Sequence, residues 1–172
     1  MNVLFVLWGT KYNRSHVENL YNQLKQYGRD DFKYYCFTDQ QLDIVGITEI
    51  PIDPKLHLHG VWNKLYMFSR DFPVSGDIMY FDLDTIIQDN PFNVGINFDK
   101  LTVVDCHWKS PSIVRITNND VLINSSVLAW NSNNPDIHHI WDHFQLSGYR
   151  DYFLRKYVGI DRYLVHEGYD VL

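Results

Sequence analysis

Two aspartates, Asp82 and Asp84, close the apolar run Ile78-Met79-Tyr80-Phe81. Side chains on a strand alternate with period 2, so both carboxylates are expected on one face. Like charges placed this way repel unless something cationic lies between them. Hard divalent cations take carboxylate oxygens, and Mg²⁺ or Mn²⁺ sites commonly combine one or two carboxylates with substrate phosphates and water. The pair therefore predicts a metal site that carries a diphosphate. An Asp-x-Asp triplet alone also fits a solvated strand end. Its place after a long apolar strand and shortly before the turn residues Asn90-Pro91 favours the functional reading.

The elements that must position the pair can be read along the chain. "NVLFVLW" is a buried strand that turns at Gly9, and "SHVENLYNQLKQYG" follows as a helix with Ser15 as N-cap and Gly28 as its stop. "FKYYCFTD" and "GITEIPI" are the second and third strands, and "VWNKLYMFS" is a short helix with Val61, Leu65 and Phe68 on one face. "DIMYFDLD", "KLTVVDCHW" and "LINSSVLAWN" are further strands. "NPDIHHIWDHFQLSG", capped by Asn134 or Asn131 and stopped at Gly148, and "DYFLRKYVGIDRYLVHEG" are helical. This order predicts one α/β domain over residues 1–172, with a mostly parallel, doubly wound sheet flanked by helices. In such sheets ligands bind beyond the carboxyl ends of the strands. Three polar clusters fall there: Gly9-Thr10-Lys11, Thr38-Asp39 and Asp82-x-Asp84. A nucleotide-sized site is expected. It cannot use a glycine cradle, since neither GxGxxG nor GxxxxGK[ST] is present.

Composition narrows the function classes. A chain of 172 residues with 45% hydrophobic content can bury an ordinary globular core. Its net charge of -6 argues against a non-specific nucleic-acid binder, which needs a basic surface to displace counterions. No apolar run reaches the roughly 18 residues of a membrane span, and "MNVLFVLWGTKYN" lacks the basic start and cleavage site of a signal peptide. A cytoplasmic location is the expectation. Cys36 and Cys106 are widely spaced in apolar runs and read as two reduced, buried thiols. Aromatic residues make up 16%, enough to supply both core bulk and stacking platforms for a nucleobase or sugar.

The segments "LWGTKYNRSHVENLYNQL", "YYCFTD", "VWNKLYMF", "MYFDLDTII" and "LINSSVLAWNS", followed by the Asp of "YVGIDRYLV", resemble in their order the nucleotide-sugar glycosyltransferases of the GT-A fold. The likeness is to the glycogenin-like and lipopolysaccharide galactosyltransferase-like retaining enzymes. It spans nearly the whole chain and rests on order and spacing rather than on one motif. The resemblance implies metal-dependent transfer of a hexose from a UDP-sugar, UDP-glucose or UDP-galactose, to a glycan or other small acceptor, with retention. It implies that Trp8, Gly9, Thr10, Lys11 and Tyr12 lie against the nucleoside and that Asp39 contacts the base or ribose. Lys64 would reach the diphosphate or sugar, and Asp82 and Asp84 would bind Mn²⁺ or Mg²⁺. Asn124 and Ser125 would line the sugar pocket, with Ser126 where relatives carry Gly. Asp161 matches the Asp of an Asp-Gln pair that holds sugar hydroxyls; Arg162 replaces the Gln, so no role of that Gln transfers to this chain. Relatives complete the metal shell with a late His in a His-x-x-Gly-x-x-Lys stretch. None occurs here, and His166, which lacks the following Lys, is expected on a helix surface.

Glycosyl transfer breaks the anomeric bond through an oxocarbenium-like transition state while negative charge grows on the departing diphosphate. A divalent ion and Lys64 placed against that charge would stabilise the transition state more than the ground state. Asp161 is the nearest candidate nucleophile and equally a sugar-orienting residue. Two rival readings use the same residues. "FDLDTI" also looks like the first motif of haloacid-dehalogenase-type phosphatases, in which the first Asp accepts the phosphoryl group, although that motif usually opens its domain. A non-catalytic nucleotide-sugar binding module is the other. Among the histidines, His139 and His143 have the i, i+4 spacing of a zinc pair but no third ligand, and read as a helix face. His57, His59, His107 and Trp108 lie in loops or at a strand end, where contact with sugar or acceptor is an open alternative.

Overall fold

The structure, a computed structural model, describes residues 1–106 and 121–172. The expectations for His107 and Trp108 lie outside the described residues. Strands β1 (Asn2–Leu7), β2 (Lys33–Thr38), β3 (Ile47–Pro51), β4 (Asp77–Phe81), β5 (Thr102–Asp105) and β6 (Ile123–Asn131) form one sheet in the order β3-β2-β1-β4-β6-β5. Pairing is parallel from β3 through β4, and β6 runs antiparallel to both β4 and β5. The expected mixed α/β, mostly parallel sheet is present, with β6 as its one reversed strand among the described residues. Helices α1 (Arg14–Lys25), α2 (Pro135–Gln145), α3 (Tyr149–Lys156) and α4 (Ile160–His166) flank it. No helix among the described residues is long and apolar enough to cross a membrane.

The central strands are apolar on both faces because both faces are covered. Val3, Phe5 and Leu7 of β1 join Cys36, Met79, Phe81 and Ala129 beneath α1, which contributes Val17, Leu20, Tyr21 and Leu24. Leu4 and Val6 alternate to the opposite face with Phe37, Ile78, Tyr80, Leu128 and Trp130. That face carries an aromatic layer built by residues 60–68 and by α2 to α4: Trp62 stacks on Phe144 at 5.6 Å, and Phe153 meets Tyr163 edge-on at 5.0 Å. Cys36 and Cys106 are buried free thiols, and burial pushes the Cys36 thiol up to about 12.

Four sequence expectations are corrected. The N-cap of α1 is Asn13 rather than Ser15: its side chain accepts from the Ser15 N–H, and the His16 side chain reaches back to the cap in a capping box. The fourth strand stops at Phe81 instead of continuing to Asp84. The Asp82 N–H still reaches the Ser126 carbonyl at 2.7 Å, but Thr85 N–H bonds back to the Asp82 carbonyl at 3.0 Å and turns the chain. Gly60–Phe68 is a 3₁₀ helix, not an α-helix. At three residues per turn Trp62, Leu65 and Phe68 form the buried row, while Val61, expected on that row, is exposed and shares the next row with Lys64. Finally, the long C-terminal helix is broken: Tyr157 is extended and Gly159 caps α4, so Asp161 falls in a new first turn.

The capping assignment is directly testable. Asn13→Ala is expected to destabilise the fold by about 1 kcal/mol, and Ser15→Ala by clearly less, measured by urea denaturation. A larger loss for Ser15→Ala would return the cap to the position read from the sequence.

Candidate active site

Leu83 fixes the acidic pair. It is buried in the cluster beneath α1 and anchors the turn from which Asp82 and Asp84 both border the same cavity. That cavity, about 460 Å³, is bounded by Val61 and Lys64 of the 3₁₀ helix, Asp82, Asp84 and Thr85 of the turn, Asn124, Ser125 and Ser126 of β6, and Val158 to Asp161 at the start of α4. A smaller pocket of about 150 Å³ adjoins it through Val61, Lys64, Asp82 and Asp84, and is walled by Trp8, Lys11, Tyr12, Gly60 and Tyr80. Lys64 and the carboxylate pair stand at the junction of the two.

Lys64 is buried, with only 8% of its side chain exposed. Its ammonium lies 2.6 Å from Asp82 Oδ1, donates to the Ser125 carbonyl at 3.3 Å and sits 5.0 Å from the centre of the Tyr80 ring. The Tyr80 hydroxyl donates to the same Asp82 oxygen. Burial first, and then the adjacent Asp82, push the Tyr80 phenol well above its ordinary range, so it remains a donor. Asp84 is more exposed and accepts the Tyr12 hydroxyl at 2.7 Å on Oδ2, with Lys11 Nζ 4.0 Å from that oxygen. The Tyr12 hydrogen bond holds the Asp84 carboxyl below the usual carboxylate range.

Residues 124–126 tie the site together. The Ser125 N–H donates to Asp161 Oδ1 at 3.0 Å, the Asn124 side chain accepts from the Ser126 N–H at 2.7 Å, and the Ser126 carbonyl receives the Asp82 N–H. The strand following the acidic pair in the sheet thus holds the buried lysine, the first aspartate and α4 at once. The loop after β1 is latched from the other side: Asp39 Oδ2 accepts the Gly9 N–H at 2.9 Å and the Gln40 side chain donates to the Gly9 carbonyl at 2.6 Å. Gly60 adopts a left-handed φ of 64°, which glycine takes without strain, and lies against the Trp8 ring.

Of the residues read from the sequence, Trp8, Lys11, Tyr12, Lys64, Asp82, Asp84, Asn124, Ser125 and Asp161 meet around the two connected cavities. Gly9, Thr10 and Asp39 do not border them; Asp39 lines a separate shallow recess with Thr38, Gln40, Gln41 and Glu49. Val61, Tyr80, Thr85 and the Val158–Ile160 turn were missed. Tyr80 could have been found, since it precedes Asp82 by the strand period, and Gly159 two residues before Asp161 was the available signal for a helix start. The histidines stand apart. His143 accepts or donates to the Tyr169 hydroxyl at 2.8 Å within the aromatic layer, His139 stacks on it, and His166 stacks on Tyr157 at 5.8 Å, none of them bordering the cavities. Among the described residues no group of three or more His, Cys, Asp or Glu is placed to hold a metal ion.

No protein-family model and no curated protein sequence matches the chain. Its fold does match solved structures. The galactosyltransferase LgtC, in complex with donor and acceptor sugar analogs, superposes with a TM-score of 0.59 at 13% identity, over 88% of this chain and 66% of LgtC. The glycosyltransferase GlyE of Streptococcus pneumoniae TIGR4 gives 0.61 at 15% identity, over 99% of this chain and 44% of GlyE. The bifunctional glycosyltransferase WbbM gives 0.52 at 8% identity, over 84% and 34%. The chain spans just under two thirds of the length of LgtC and less than half of GlyE. At these identities the likeness is one of fold: the chain has the GT-A-like fold of these glycosyltransferases.

Proposed function

We propose that this chain is a glycosyltransferase that moves a hexose from a UDP-sugar to a glycan or other small acceptor. The observation that carries this reading is the buried Lys64 ammonium, held against Asp82 where an aromatic-walled pocket opens into a polar cavity. A departing diphosphate develops negative charge in the transition state, and a preorganised ammonium in a partly desolvated site stabilises that charge without having to reorganise. The smaller pocket, with Trp8 and Tyr12, suits a nucleobase that stacks on aromatic faces. The larger cavity, with Asn124, Ser125 and Asp161, suits sugar hydroxyls. That LgtC was solved with donor and acceptor sugar analogs supports a sugar donor and an acceptor for a chain of this fold.

The carboxylate pair fits a hard divalent ion. Lys64 and Tyr80 meet Asp82 on Oδ1 and Tyr12 meets Asp84 on Oδ2, and with about four lone-pair sites per carboxylate both side chains keep capacity for a ligand. Asp82 and Asp84 would hold Mn²⁺ or Mg²⁺, with the diphosphate and water completing the shell. The ion would supply Lewis-acid stabilisation of the leaving group. Asp161 is anchored by the Ser125 N–H and is read as the residue that orients the sugar in a transfer with retention. The phosphatase alternative fits less well, because its motif usually opens the domain, whereas Asp82 follows the fourth strand of the sheet.

UDP with Mn²⁺ is expected to raise the thermal midpoint more than GDP or CMP, since a ligand at about 100 times its Kd stabilises the native state by about 2.7 kcal/mol. Equal shifts for all three nucleotides would remove the uracil assignment of the Trp8 and Tyr12 pocket.

Asp84→Asn should abolish Mn²⁺-dependent UDP binding and transfer in calorimetry and product assays, while stability stays within about 0.5 kcal/mol because the side chain is largely exposed. His166→Ala should leave both binding and transfer unchanged. Wild-type UDP affinity in Asp84→Asn would sink the metal assignment.

Asp161→Asn keeps an oxygen for the Ser125 N–H, so folding should survive while kcat falls on the order of 100-fold, the scale of losing one well-placed polar contact to the reacting sugar. An unchanged kcat would make Asp161 a purely structural clasp.

A further inference from the structure

We propose that Lys64 and Lys11 act as internal counter-ions that close the carboxylate pair to free divalent metal and reserve it for metal arriving with a nucleoside diphosphate. This rests on the donor reading above. Each carboxylate already has its own ammonium: Lys64 Nζ is 2.6 Å from Asp82 Oδ1, and Lys11 Nζ is 4.0 Å from Asp84 Oδ2. Two carboxylates and two ammoniums leave the pair formally neutral. The third carboxylate bordering the cavity, Asp161, is bound to the Ser125 N–H.

The two lysines are not equal. Lys11 is 71% exposed along its side chain and is screened by water and salt. It is steadied by the Tyr12 ring, 4.4 Å from its nitrogen. Lys64 is 8% exposed and contacts Asp82, the Ser125 carbonyl and the Tyr80 ring, so water and salt screen it far less. A bare divalent ion at Asp82 would have to share that carboxylate with a buried ammonium, and repulsion between them grows as the product of charges over distance in a medium of reduced dielectric. A nucleoside diphosphate reverses the sign. Bound to a divalent ion, a diphosphate of about three negative charges leaves a complex of about one net negative charge, which both lysines attract.

A lysine that served only as a folding contact would not tune metal affinity in this direction. Mn²⁺ binding to nucleotide-free protein, followed by the electron paramagnetic resonance signal of the free ion, separates the two roles. Wild type should bind Mn²⁺ weakly. Lys64→Met should bind it at least about tenfold more tightly, as expected for removing a like charge a few ångströms away. Lys11→Met should gain about two- to threefold, the smaller effect of a screened charge. An unchanged Mn²⁺ affinity in folded Lys64→Met overturns the proposal.

A measurement on the wild type keeps the test decisive if Lys64→Met does not fold. The ¹⁵N signal of the Lys64 ammonium should be unmoved by Mg²⁺ alone and should shift when UDP is added with Mg²⁺. Movement by Mg²⁺ alone over the same concentrations also overturns it. Should Lys64→Met gain Mn²⁺ affinity while neither protein binds UDP, the counter-ion role stands and the donor reading falls.

Discussion

The ion pair between Lys64 and Asp82 is the interaction on which the arrangement of the site depends. Taking the Lys64 charge out of water costs several kcal/mol, and attraction to Asp82, itself 27% exposed, recovers that cost only where the remaining hydrogen-bonding capacity is met. Here it is met in part by the Tyr80 hydroxyl on Asp82 and by the Ser125 carbonyl on Lys64. Such a pair adds little to net stability compared with apolar packing, yet removing one partner typically costs about 3–5 kcal/mol. Its position therefore couples three elements, the 3₁₀ helix, the turn after β4 and the middle of β6. A shift in any one of them would leave a buried charge without its partner.

The reason for a nine-residue 3₁₀ helix follows from the same constraint. Long 3₁₀ runs are uncommon because their hydrogen bonds are poorer. The three-fold repeat nevertheless stacks Trp62, Leu65 and Phe68 into the aromatic layer in one straight row, and places Lys64 beside Val61 on the row that borders the cavity. An α-helix over the same residues would rotate Val61 toward the Leu65 row and off the row it shares with Lys64. Packing of large aromatics and delivery of one cation are thus satisfied by a single local geometry.

On the far side of the aromatic layer a polar thread runs through the packed rings. The Tyr163 hydroxyl donates to the Ile140 carbonyl and pairs with the Tyr169 hydroxyl, which meets His143 Nδ1. Each buried polar atom along this thread has a partner, as burial demands. The thread docks α4 on α2, and α4 in turn delivers Asp161 to Ser125. The segment after α4 pairs along β5 and the residue before it, where Val103 N–H bonds the Leu172 carbonyl at 2.8 Å and Leu172 N–H bonds the Leu101 carbonyl at 3.0 Å.

Local sequence determined the strands and the alternation of their two buried faces, because a period of 2 and a run such as Val3 to Leu7 leave little freedom once both faces must be covered, whereas the turn after Phe81 brings Asp82 and Asp84 to one cavity. The order of polar clusters at strand ends was legible for the same reason. The choice of 3₁₀ over α at Gly60–Phe68 was not, since propensity hardly separates the two and the aromatic partners from α2 and α4 decide it. The break at Val158-Gly159 was equally a matter of context: either one long helix or two short ones would suit the local pattern, and the Asp161 bond to Ser125, from a strand 36 residues away, fits only the second. That Lys64 lies against Asp82 could not be read from spacing at all. Burying an ammonium is unfavourable until the fold supplies a carboxylate, a carbonyl and a ring around it, and those three come from β6 and from the end of β4.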